Sequence, residues 1–309
     1  MKTLLIANRG EIAIRIINTA RDLGFRCIAV APEDDLASAH VMHADAYEQL
    51  PGAGAAAYLD LQAVLDAAQR AHATAIHPGY GFLSEQPEFA TACEAANLTF
   101  VGPTPTQLQR FGNKAGAKSL AAECNVPLIP GTEGATTLEQ ARAFQASLAG
   151  APIIIKAVHG GGGRGMRTVS KDDDLASLFH RCQSEAELAF GESAVYVERK
   201  LDRVRHIEVQ VVGDGQGQQI HLWERDCSIQ RHNQKLIEIA PSPSISSMIQ
   251  EQLCEAALSM ARAADYRGLG TFEFLVSEED PDNWYFIEAN ARLQVEHTVT
   301  EAITGLDLV

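Results

Sequence analysis

Residues 153–166 of this chain read Ile-Ile-Ile-Lys-Ala-Val-His-Gly-Gly-Gly-Gly-Arg-Gly-Met. An apolar strand ends near Lys156, four consecutive glycines follow, and Arg164 lies in the same loop. Because glycine has no side chain, the backbone N–H groups of such a loop can approach a polyanion closely, and the basic residues add the positive charge that a triphosphate needs. The pattern therefore predicts a phosphate-binding loop after a buried strand. A flexible hairpin tip with incidental basic residues is the alternative.

A second informative stretch is Trp-Tyr-Phe-Ile-Glu-Ala-Asn at residues 284–290. Strand alternation places Glu288 and Asn290 on one face, and a symmetric hairpin that turns between residues 280 and 281 places Glu273 opposite Glu288. Two carboxylates and an amide oxygen suit a hard cation, and Mg²⁺ is usually held by few carboxylates plus substrate phosphates. The stretch predicts a Mg²⁺ site, and an exposed hairpin with solvated acids is the alternative.

Two polar segments lie one before and one after this hairpin in the sequence. Residues 224–235 read Glu-Arg-Asp-Cys-Ser-Ile-Gln-Arg-His-Asn-Gln-Lys. We expect residues 225–239 to form a polar loop, because the segment has too many hydrogen-bond donors for a core, and a solvated edge strand is the alternative. Residues 292–297 read Arg-Leu-Gln-Val-Glu-His and follow the metal strand directly, so an acid or base among them would lie near the cation. Taken alone, Arg292 and Glu296 would more often form a pair on a helix surface.

The N-terminal third alternates short apolar runs with segments of helical periodicity. Thr3–Ala7, Arg26–Ala31, Thr74–His77 and Leu98–Val101 are predicted strands, and the segments between them include predicted helices at Glu11–Leu23, 60–72 and Pro87–Ala96. This rhythm is typical of a parallel sheet with helices on both faces. The predicted fold class is α/β, with this sheet followed by a mixed α+β region.

Composition narrows the functional classes. The 309 residues contain 25 Lys and Arg against 40 Asp and Glu, so the net charge is −15, which argues against a nucleic-acid or anionic-membrane binder. The sequence has no apolar run of transmembrane length, and its first residues lead to the expectation that it has no signal peptide. Its six cysteines are scattered without a Cys-x-x-Cys pair, which indicates reduced thiols rather than disulfides or a zinc site. A cytoplasmic protein is the prediction.

In this order and spacing, the motifs resemble the ATP-grasp fold and, more narrowly, the biotin carboxylase component of biotin-dependent carboxylases. Two N-terminal motifs agree as well, Leu-Ile-Ala-Asn-Arg-Gly-Glu-Ile-Ala at 5–13 and Ile-His-Pro-Gly-Tyr-Gly-Phe-Leu-Ser-Glu at 76–85. The resemblance covers the whole chain. It implies an N-terminal biotin carboxylase domain at 1–113 and an ATP-grasp domain at 114–309, with a mobile lid at about 132–203.

Such enzymes use MgATP to activate bicarbonate as carboxyphosphate and then place the carboxyl group on biotin. The resemblance implies that the ATP-binding residues are Lys114, Lys156, Gly160, Gly161, Gly162, Gly163, Arg164, Gly165, Glu198, His206 and Gln230. The Gly160–Gly165 loop should close over the β- and γ-phosphates, and Glu198 and His206 match positions that contact adenine and ribose.

The same resemblance assigns the chemistry at the other substrates. It implies that the metal ligands for Mg²⁺ or Mn²⁺ are Glu273, Glu288 and Asn290. The implied bicarbonate-binding residues are Lys235, Arg292, Gln294 and Val295. Three of the site residues are expected to be catalytic: Glu296 as the base that deprotonates bicarbonate, Arg292 as the group that stabilises the developing enolate of biotin, and Lys235.

The sequence departs from the family pattern at several places. Asn233 stands where a His is usual, with His232 one residue earlier, and Arg199 replaces a common Lys. Four glycines stand where some members have five. Family members continue well beyond the Thr-Gly-Leu-Asp-Leu segment at 304–308, so a C-terminal biotin carboxylase domain is expected to be absent, with weak MgATP binding and little carboxylation as the expected consequences.

The resemblance also implies partners. Biotin would arrive on a carboxyl carrier domain or subunit, a carboxyltransferase would use the product, and the full-length enzyme would form a homo-oligomer. The sequence does not identify the final acyl acceptor. Two alternatives remain: another carboxyphosphate-forming ligase of the carbamoyl-phosphate synthase type, and an ATP-binding module without catalysis.

Overall fold

The computed structural model describes residues 2–158, 165–232, 234–280 and 282–309, and within these ranges it contains two five-stranded sheets and one three-stranded sheet. The first sheet is parallel, with strand order β3-β2-β1-β4-β5, which confirms the predicted α/β unit. Its strands are β1 (Thr3–Ile6), β2 (Arg26–Ala31), β3 (Ala46–Gln49), β4 (Ala75–His77) and β5 (Thr99–Phe100). The helices between them are α1 (Gly10–Asp22), α2 (Ala39–His43), α3 (Gly54–Ala57), α4 (Leu61–Arg70) and α5 (Pro87–Ala95).

The two N-terminal motifs meet where the strand order reverses between β1 and β4. The side-chain amide of Asn8 donates hydrogen bonds to the backbone carbonyls of Pro78 and Tyr80, at 2.7 and 2.8 Å. Gly79 between them has a φ of +64°, and a Cβ there would lie 2.9 Å from Asn8 Nδ2. A side chain at residue 79 would therefore be strained and would displace Asn8. The motifs build one crevice at the carboxyl ends of the strands, where open α/β sheets bind ligands.

A buried carboxylate, Asp35, fixes the loop that follows β2. Arg9 Nε and Tyr58 Oη each donate to it at 2.6 Å, and Ser38 donates as well. These hydrogen bonds, above all the one from Arg9, hold the pKa of Asp35 well below its ordinary range. Asp35 therefore stays ionised in the folded state.

Replacing Asp35 by asparagine is expected to lower the free energy of unfolding by about 2 kcal/mol at neutral pH. Because the folded-state pKa lies below the unfolded value of about 3.9, the stabilisation is complete above that value and is lost as the pH falls through the folded-state pKa. Urea unfolding at neutral and at acidic pH measures the difference, which should shrink below about pH 4. Asp22→Asn, at the exposed end of α1, is the control. A pH-independent difference for Asp35→Asn would contradict the assignment.

The middle of the chain forms a small unit with its own apolar core. Helices α6 (Pro105–Gly112) and α7 (Lys114–Glu123) lead into it. It contains α8 (Leu138–Ser147), β6 (Ile153–Ala157), β7 (Met166–Val169), α9 (Leu175–Phe190) and β8 (Val195–Arg199), with β6 central in an antiparallel sheet. Buried side chains that include Ile155, Phe179 and Val197 form this separate core. The unit lies within residues 132–203, and the proposal that this region moves as a lid stays a prediction.

The third sheet carries the hairpin predicted to hold the metal ion. Its elements are β9 (Val204–Asp214), β10 (Gln219–Arg231), β11 (Gln234–Ile239), α10 (Ser247–Ala263), β12 (Arg267–Ser277), β13 (Trp284–Asn290) and α11 (His297–Thr304). The order is β11-β10-β9-β12-β13, and all neighbours are antiparallel. The ring of Phe111 on α6 packs edge-on against Tyr266 and Phe272. One continuous core therefore joins this sheet to the N-terminal unit.

The prediction of a polar loop at residues 225–239 is wrong. Strand β10 continues to Arg231, and β11 pairs with it as an edge strand. Arg225 and Cys227 are fully buried, and Asp226 is nearly so. The donors that argued against a core are satisfied by acceptors distant in the sequence, which no local pattern reveals. Among the helices of the described ranges, none has the length and apolar character needed to cross a membrane.

Candidate active site

Four charged residues lie side by side across the third sheet. Arg225 pairs in register with Glu208, Glu208 with Glu273, and Glu273 with Glu288. Residues directly opposite each other in neighbouring strands point to the same face. The predicted pairing of Glu273 with Glu288 is therefore confirmed, and Glu208 and Arg225 extend the same row to β9 and β10. We call Arg225, Glu208, Glu273 and Glu288 the charged row.

The two glutamates proposed to hold a metal differ in their surroundings. Glu273 accepts hydrogen bonds from His206 Nε2 at 2.5 Å, Asn290 Nδ2 at 2.7 Å and Lys235 Nζ at 3.2 Å. Although burial alone would raise it, these contacts, led by His206, hold the pKa of Glu273 below its ordinary range. The side-chain carboxylate of Glu288 has no hydrogen bond or ion pair within the described residues. Burial and the adjacent Glu273 charge raise the pKa of Glu288.

These observations fit a divalent cation. A desolvated carboxylate without a partner, next to a second carboxylate, is unfavourable until positive charge is supplied. Carboxylate oxygens are the ligands that Mg²⁺ prefers. The amide of Asn290 donates to Glu273 and accepts from Arg292 Nη2 at 3.1 Å, so Asn290 lies beside the glutamates with its oxygen engaged by Arg292.

Lys235 of β11 is the centre of a second cluster. Its ammonium lies 2.5 Å from Glu208, 2.6 Å from Glu296 and 3.2 Å from Glu273. Burial alone would lower the pKa of Lys235, but the charges of Glu273 and Glu208 outweigh it and raise the pKa above the ordinary value. Ligand atoms of Glu208, Cys227 and Glu296 are close enough to share a metal ion. The ammonium already provides positive charge there, so we assign no metal to that group.

Glu296 precedes α11 and faces this ammonium. Burial opposes ionisation, but the charge of Lys235 dominates and lowers the pKa of Glu296. The carboxylate is therefore ionised at neutral pH and able to accept a proton. Of its neighbours in the motif, Gln294 is buried and Val295 is 61% exposed.

Arg292 connects the site to the N-terminal unit. Its Nε donates to Glu85 at 2.8 Å, and its Nη2 donates to Asn290. Glu85 is the last residue of the motif at 76–85, which the sequence analysis could not relate to the catalytic segments except through the family resemblance. The structure therefore brings the N-terminal motif to the same site as the metal and bicarbonate candidates.

The lysines proposed for ATP lie on the lid side. Lys156 on β6 and Lys118 on α7 each pair with one carboxylate oxygen of the buried Glu198. Lys114 begins α7, and burial lowers its pKa. A cavity of about 530 Å³ lies between α7 and the lid sheet, lined by Lys114, Lys118, Tyr196 and the segment 128–134. Its size suits a small-molecule ligand.

Lys118 is a residue that the sequence analysis missed. Its ammonium lies 4.3 Å from the centroid of the Tyr196 ring as well as beside Glu198. Lys118 comes four positions after Lys114, so both lie on one face of a helix. This spacing would have pointed to Lys118 from the sequence alone if helix α7 had been predicted.

Of the remaining predicted residues, the structure describes the contacts of Gln230, His206 and Gly165. Gln230 Nε2 donates to His206 Nδ1 at 2.8 Å, so His206 directs its other nitrogen at Glu273. The hydrogen bond and charge of Glu273 raise the pKa of His206, against the effect of burial. Gly165 precedes β7, and its carbonyl accepts from Ala157 N. Five predicted phosphate-loop residues and one departure from the family pattern lie outside the described residues: Gly160, Gly161, Gly162, Gly163, Arg164 and Asn233.

A small three-stranded unit that carries Lys156, beside a five-stranded antiparallel sheet that carries Glu273 and Glu288, defines an ATP-grasp protein. Sequence models of two protein families match the chain. The one described as "Biotin carboxylase, N-terminal domain" matches residues 1–108, and "Carbamoyl-phosphate synthase L chain, ATP binding domain" matches residues 113–309.

Individual relatives show to which family of ATP-grasp proteins the chain belongs. The chain is 46% identical to a biotin carboxylase of Halalkalibacterium halodurans, with all of the chain and 68% of the relative aligned. It is 49% identical to pyruvate carboxylase of Bacillus subtilis, of which it spans 27% while aligning over its whole length. The chain belongs to the biotin carboxylase family.

A solved structure agrees in fold. The biotin carboxylase domain dimer of 2-oxoglutarate carboxylase from Hydrogenobacter thermophilus, in complex with MgADP, ADP and bicarbonate, superposes with a TM-score of 0.94 at 40% identity. The match covers 99% of this chain and 67% of that one. The predicted ATP-grasp architecture is thereby confirmed.

Proposed function

We propose that the chain catalyses the ATP- and bicarbonate-dependent carboxylation of biotin. The observation that carries this proposal is the position of Glu273. It lies in register with the unpaired Glu288, and its carboxylate also contacts Lys235, which holds Glu296. The carboxylate of Glu273 is therefore shared by two proposed sites. One would hold a metal ion bound to phosphate, and the other a small anion beside a base. Such proximity is what transfer of a phosphoryl group to bicarbonate requires.

On the nucleotide side, Lys114 and Lys156 would bind ATP phosphates. Glu198 holds Lys156 and Lys118 together in the structure, so phosphate binding exchanges a carboxylate partner for a phosphate at these ammonium groups. Glu273, Glu288 and Asn290 would hold Mg²⁺, and the amide of Asn290 also donates to Glu273. When bound, Mg²⁺ neutralises charge on the phosphoryl oxygens during transfer. The roles proposed for Gly160–Gly165, His206 and Gln230 also belong to this side.

On the bicarbonate side, Lys235, Arg292, Gln294 and the backbone at Val295 would bind the anion. Glu296 would take the proton of bicarbonate as a bicarbonate oxygen attacks the γ-phosphorus. The new P–O bond forms while the bond from the γ-phosphorus to the β,γ-bridging oxygen breaks, and ADP leaves with carboxyphosphate as the other product. Lys235, which stays protonated between three carboxylates, would compensate the negative charge of the anion.

The second step would transfer the carboxyl group to N1′ of biotin. A C–N bond forms, the C–O bond to phosphate breaks, and the N1′ proton leaves with the phosphate. Arg292 would stabilise the negative charge that develops on the ureido oxygen. Its contacts with Glu85 and Asn290 hold the guanidinium at this place.

Related proteins support a role for partners. The chain aligns with 27% of the longer pyruvate carboxylase of Bacillus subtilis and with 68% of the biotin carboxylase of Halalkalibacterium halodurans. We propose a biotin carboxyl carrier and a carboxyltransferase as partners of this chain, on the same or separate polypeptides, and a homo-oligomeric enzyme. The domain division between residues 113 and 114 is part of the same proposal. The cytoplasmic location stays a prediction from the sequence.

A second candidate is a carbamoyl-phosphate synthase type of reaction, which the match at residues 113–309 favours. Both reactions begin with phosphorylation of bicarbonate, and they differ in the nucleophile that follows. The discriminating assay measures ADP release from MgATP without bicarbonate, with bicarbonate, and with bicarbonate plus either biotin or ammonium. In line with the little carboxylation expected from the sequence, we expect stimulation by bicarbonate and only a small further increase with biotin. Stimulation by ammonium instead of biotin would replace the proposal by the second candidate, and no bicarbonate dependence would overturn both.

The ion pair between Glu85 and Arg292 gives a specific prediction. Glu85→Gln should raise the KM for bicarbonate about fivefold, which corresponds to about 1 kcal/mol for a partly exposed pair. The KM for MgATP should change less than twofold, because Glu85 contacts Arg292 and not Lys114, Lys118 or Lys156. Steady-state kinetics measures both values, with the exposed Glu88→Gln on α5 as the control. Equal changes in both KM values would contradict a role limited to Arg292.

A further inference from the structure

Arg225 is the largest side chain that the sheet buries completely, with an exposed fraction of 0%. Its guanidinium donates to Glu208 Oε1 at 2.6 Å, Gln210 Oε1 at 3.0 Å, Thr300 Oγ1 at 2.6 Å and Gln294 Oε1 at 3.3 Å. It therefore ties β10 to β9, to the segment before α11 and to α11 itself. A buried ion pair is weak evidence for stability, since apolar replacements of such pairs are often neutral. Stability alone therefore does not explain why the Arg225 guanidinium is buried.

The first consequence of the arrangement concerns Glu208. One of its oxygens accepts from Arg225 and the other from Lys235, at 2.5 Å. Both oxygens are thus engaged, and the carboxylate is held between two cations. Lys235 is in turn placed against Glu296. Any movement of Glu208 would move the ammonium proposed to bind bicarbonate.

The second consequence concerns the direction of the Gln294 amide. A guanidinium only donates hydrogen bonds, so the oxygen of Gln294 must face Arg225. The NH₂ group then faces the opposite way and lies 3.5 Å from Glu273 Oε1, on the site side. A bicarbonate anion needs donors, and this orientation provides one. Without Arg225 the amide is free to turn its oxygen toward the anion.

We propose that Arg225 is a positioning residue of the bicarbonate site, which fixes Glu208 behind Lys235 and directs the NH₂ group of Gln294 toward the anion. The inference rests on the proposed function and deepens it. Arg225 does not touch the lid or the lysines on the nucleotide side, so its influence is confined to bicarbonate. A lysine at residue 225 keeps the charge but lacks the planar fork that reaches Glu208 and Gln294 together.

The test compares Arg225→Lys and Arg225→Met with Thr300→Val in the whole chain. Thr300→Val removes one acceptor of Arg225 and leaves its bonds to Glu208 and Gln294 in place. We expect the KM for bicarbonate to rise about tenfold or more in both Arg225 variants, with the KM for MgATP within about twofold, because charge-assisted hydrogen bonds are lost only at the anion. Thr300→Val should leave both KM values within about twofold.

A binding measurement separates this role from misfolding. Thermal unfolding is recorded without ligand, with MgADP, and with MgADP plus bicarbonate. The Arg225 variants should keep the shift caused by MgADP and lose the additional shift caused by bicarbonate. Loss of both shifts, or equal changes in both KM values, would show a purely structural role and overturn the inference, as would an unchanged KM for bicarbonate. If the wild-type chain shows no response to bicarbonate, the proposed function fails first and the inference falls with it.

Discussion

Replacing Glu288 by glutamine is expected to lower the rate of phosphoryl transfer by about a hundredfold or more, because the variant loses one of two charged metal ligands. Glutamine has nearly the same shape, so packing should be retained. In the absence of Mg²⁺ the variant should be as stable as the wild type or more stable. The raised pKa of Glu288 means that its ionised form is unfavourable beside Glu273, and this repulsion disappears on substitution.

The measurement is a Mg²⁺ titration of ATP cleavage, combined with thermal unfolding at each Mg²⁺ concentration. Glu279→Gln, on the exposed turn between β12 and β13, is the control for loss of a carboxylate from the same hairpin. Near-normal turnover of Glu288→Gln at low Mg²⁺ would exclude the metal site. Equal turnover losses in the two variants would show that the charge of the hairpin, rather than the position of Glu288, matters.

Glu296→Gln is expected to lower bicarbonate-dependent turnover by about a hundredfold, while the affinity for MgATP changes less than about twofold. The carboxylate contacts Lys235 and makes no ion pair with Lys114, Lys118 or Lys156, so its loss removes the proton acceptor without altering nucleotide contacts. Because the pKa of Glu296 is lowered, its ionisation limits activity only at pH values below the ordinary glutamate pKa of about 4.3.

Glu238→Gln is a matched control for this variant. Glu238 is a half-buried carboxylate of β11 whose pKa is raised by burial and by the charge of Glu296, so it lies in the same electrostatic environment. It makes no hydrogen bond to Lys235 among the contacts of the described chain. The KM for ATP and the turnover are measured for both variants. Parallel losses of nucleotide affinity and turnover in Glu296→Gln would indicate a structural role.

The sequence was most informative where the relevant geometry is local. The pairing of Glu273 with Glu288 follows from alternation and from a short connection between two strands, and the structure reproduces it despite a bulge after Glu273. The parallel N-terminal sheet was predictable for a similar reason, since strand and helix periodicities repeat within a few tens of residues.

Long-range partners account for what the sequence did not predict. Two of the acceptors that let Arg225 lie in the core, Gln294 and Thr300, come about seventy residues later in the sequence. The same applies to Glu85, whose partner Arg292 is separated from it by 207 positions. The missing prediction of α7 concealed the alignment of Lys118 with Lys114. The roles of these residues follow only from the folded arrangement, in which the N-terminal unit and the third sheet share one core.

The central claim is that bicarbonate accepts the γ-phosphoryl group. Brief incubation of the chain with MgATP and ¹⁸O-labelled bicarbonate in unlabelled water tests it, with the isotope content of the released phosphate measured by mass spectrometry. In the proposed reaction the attacking bicarbonate oxygen stays on phosphorus when the C–O bond breaks, so the phosphate should carry the label. Release of unlabelled phosphate at the rate of ATP consumption would show that water is the acceptor and would contradict the account.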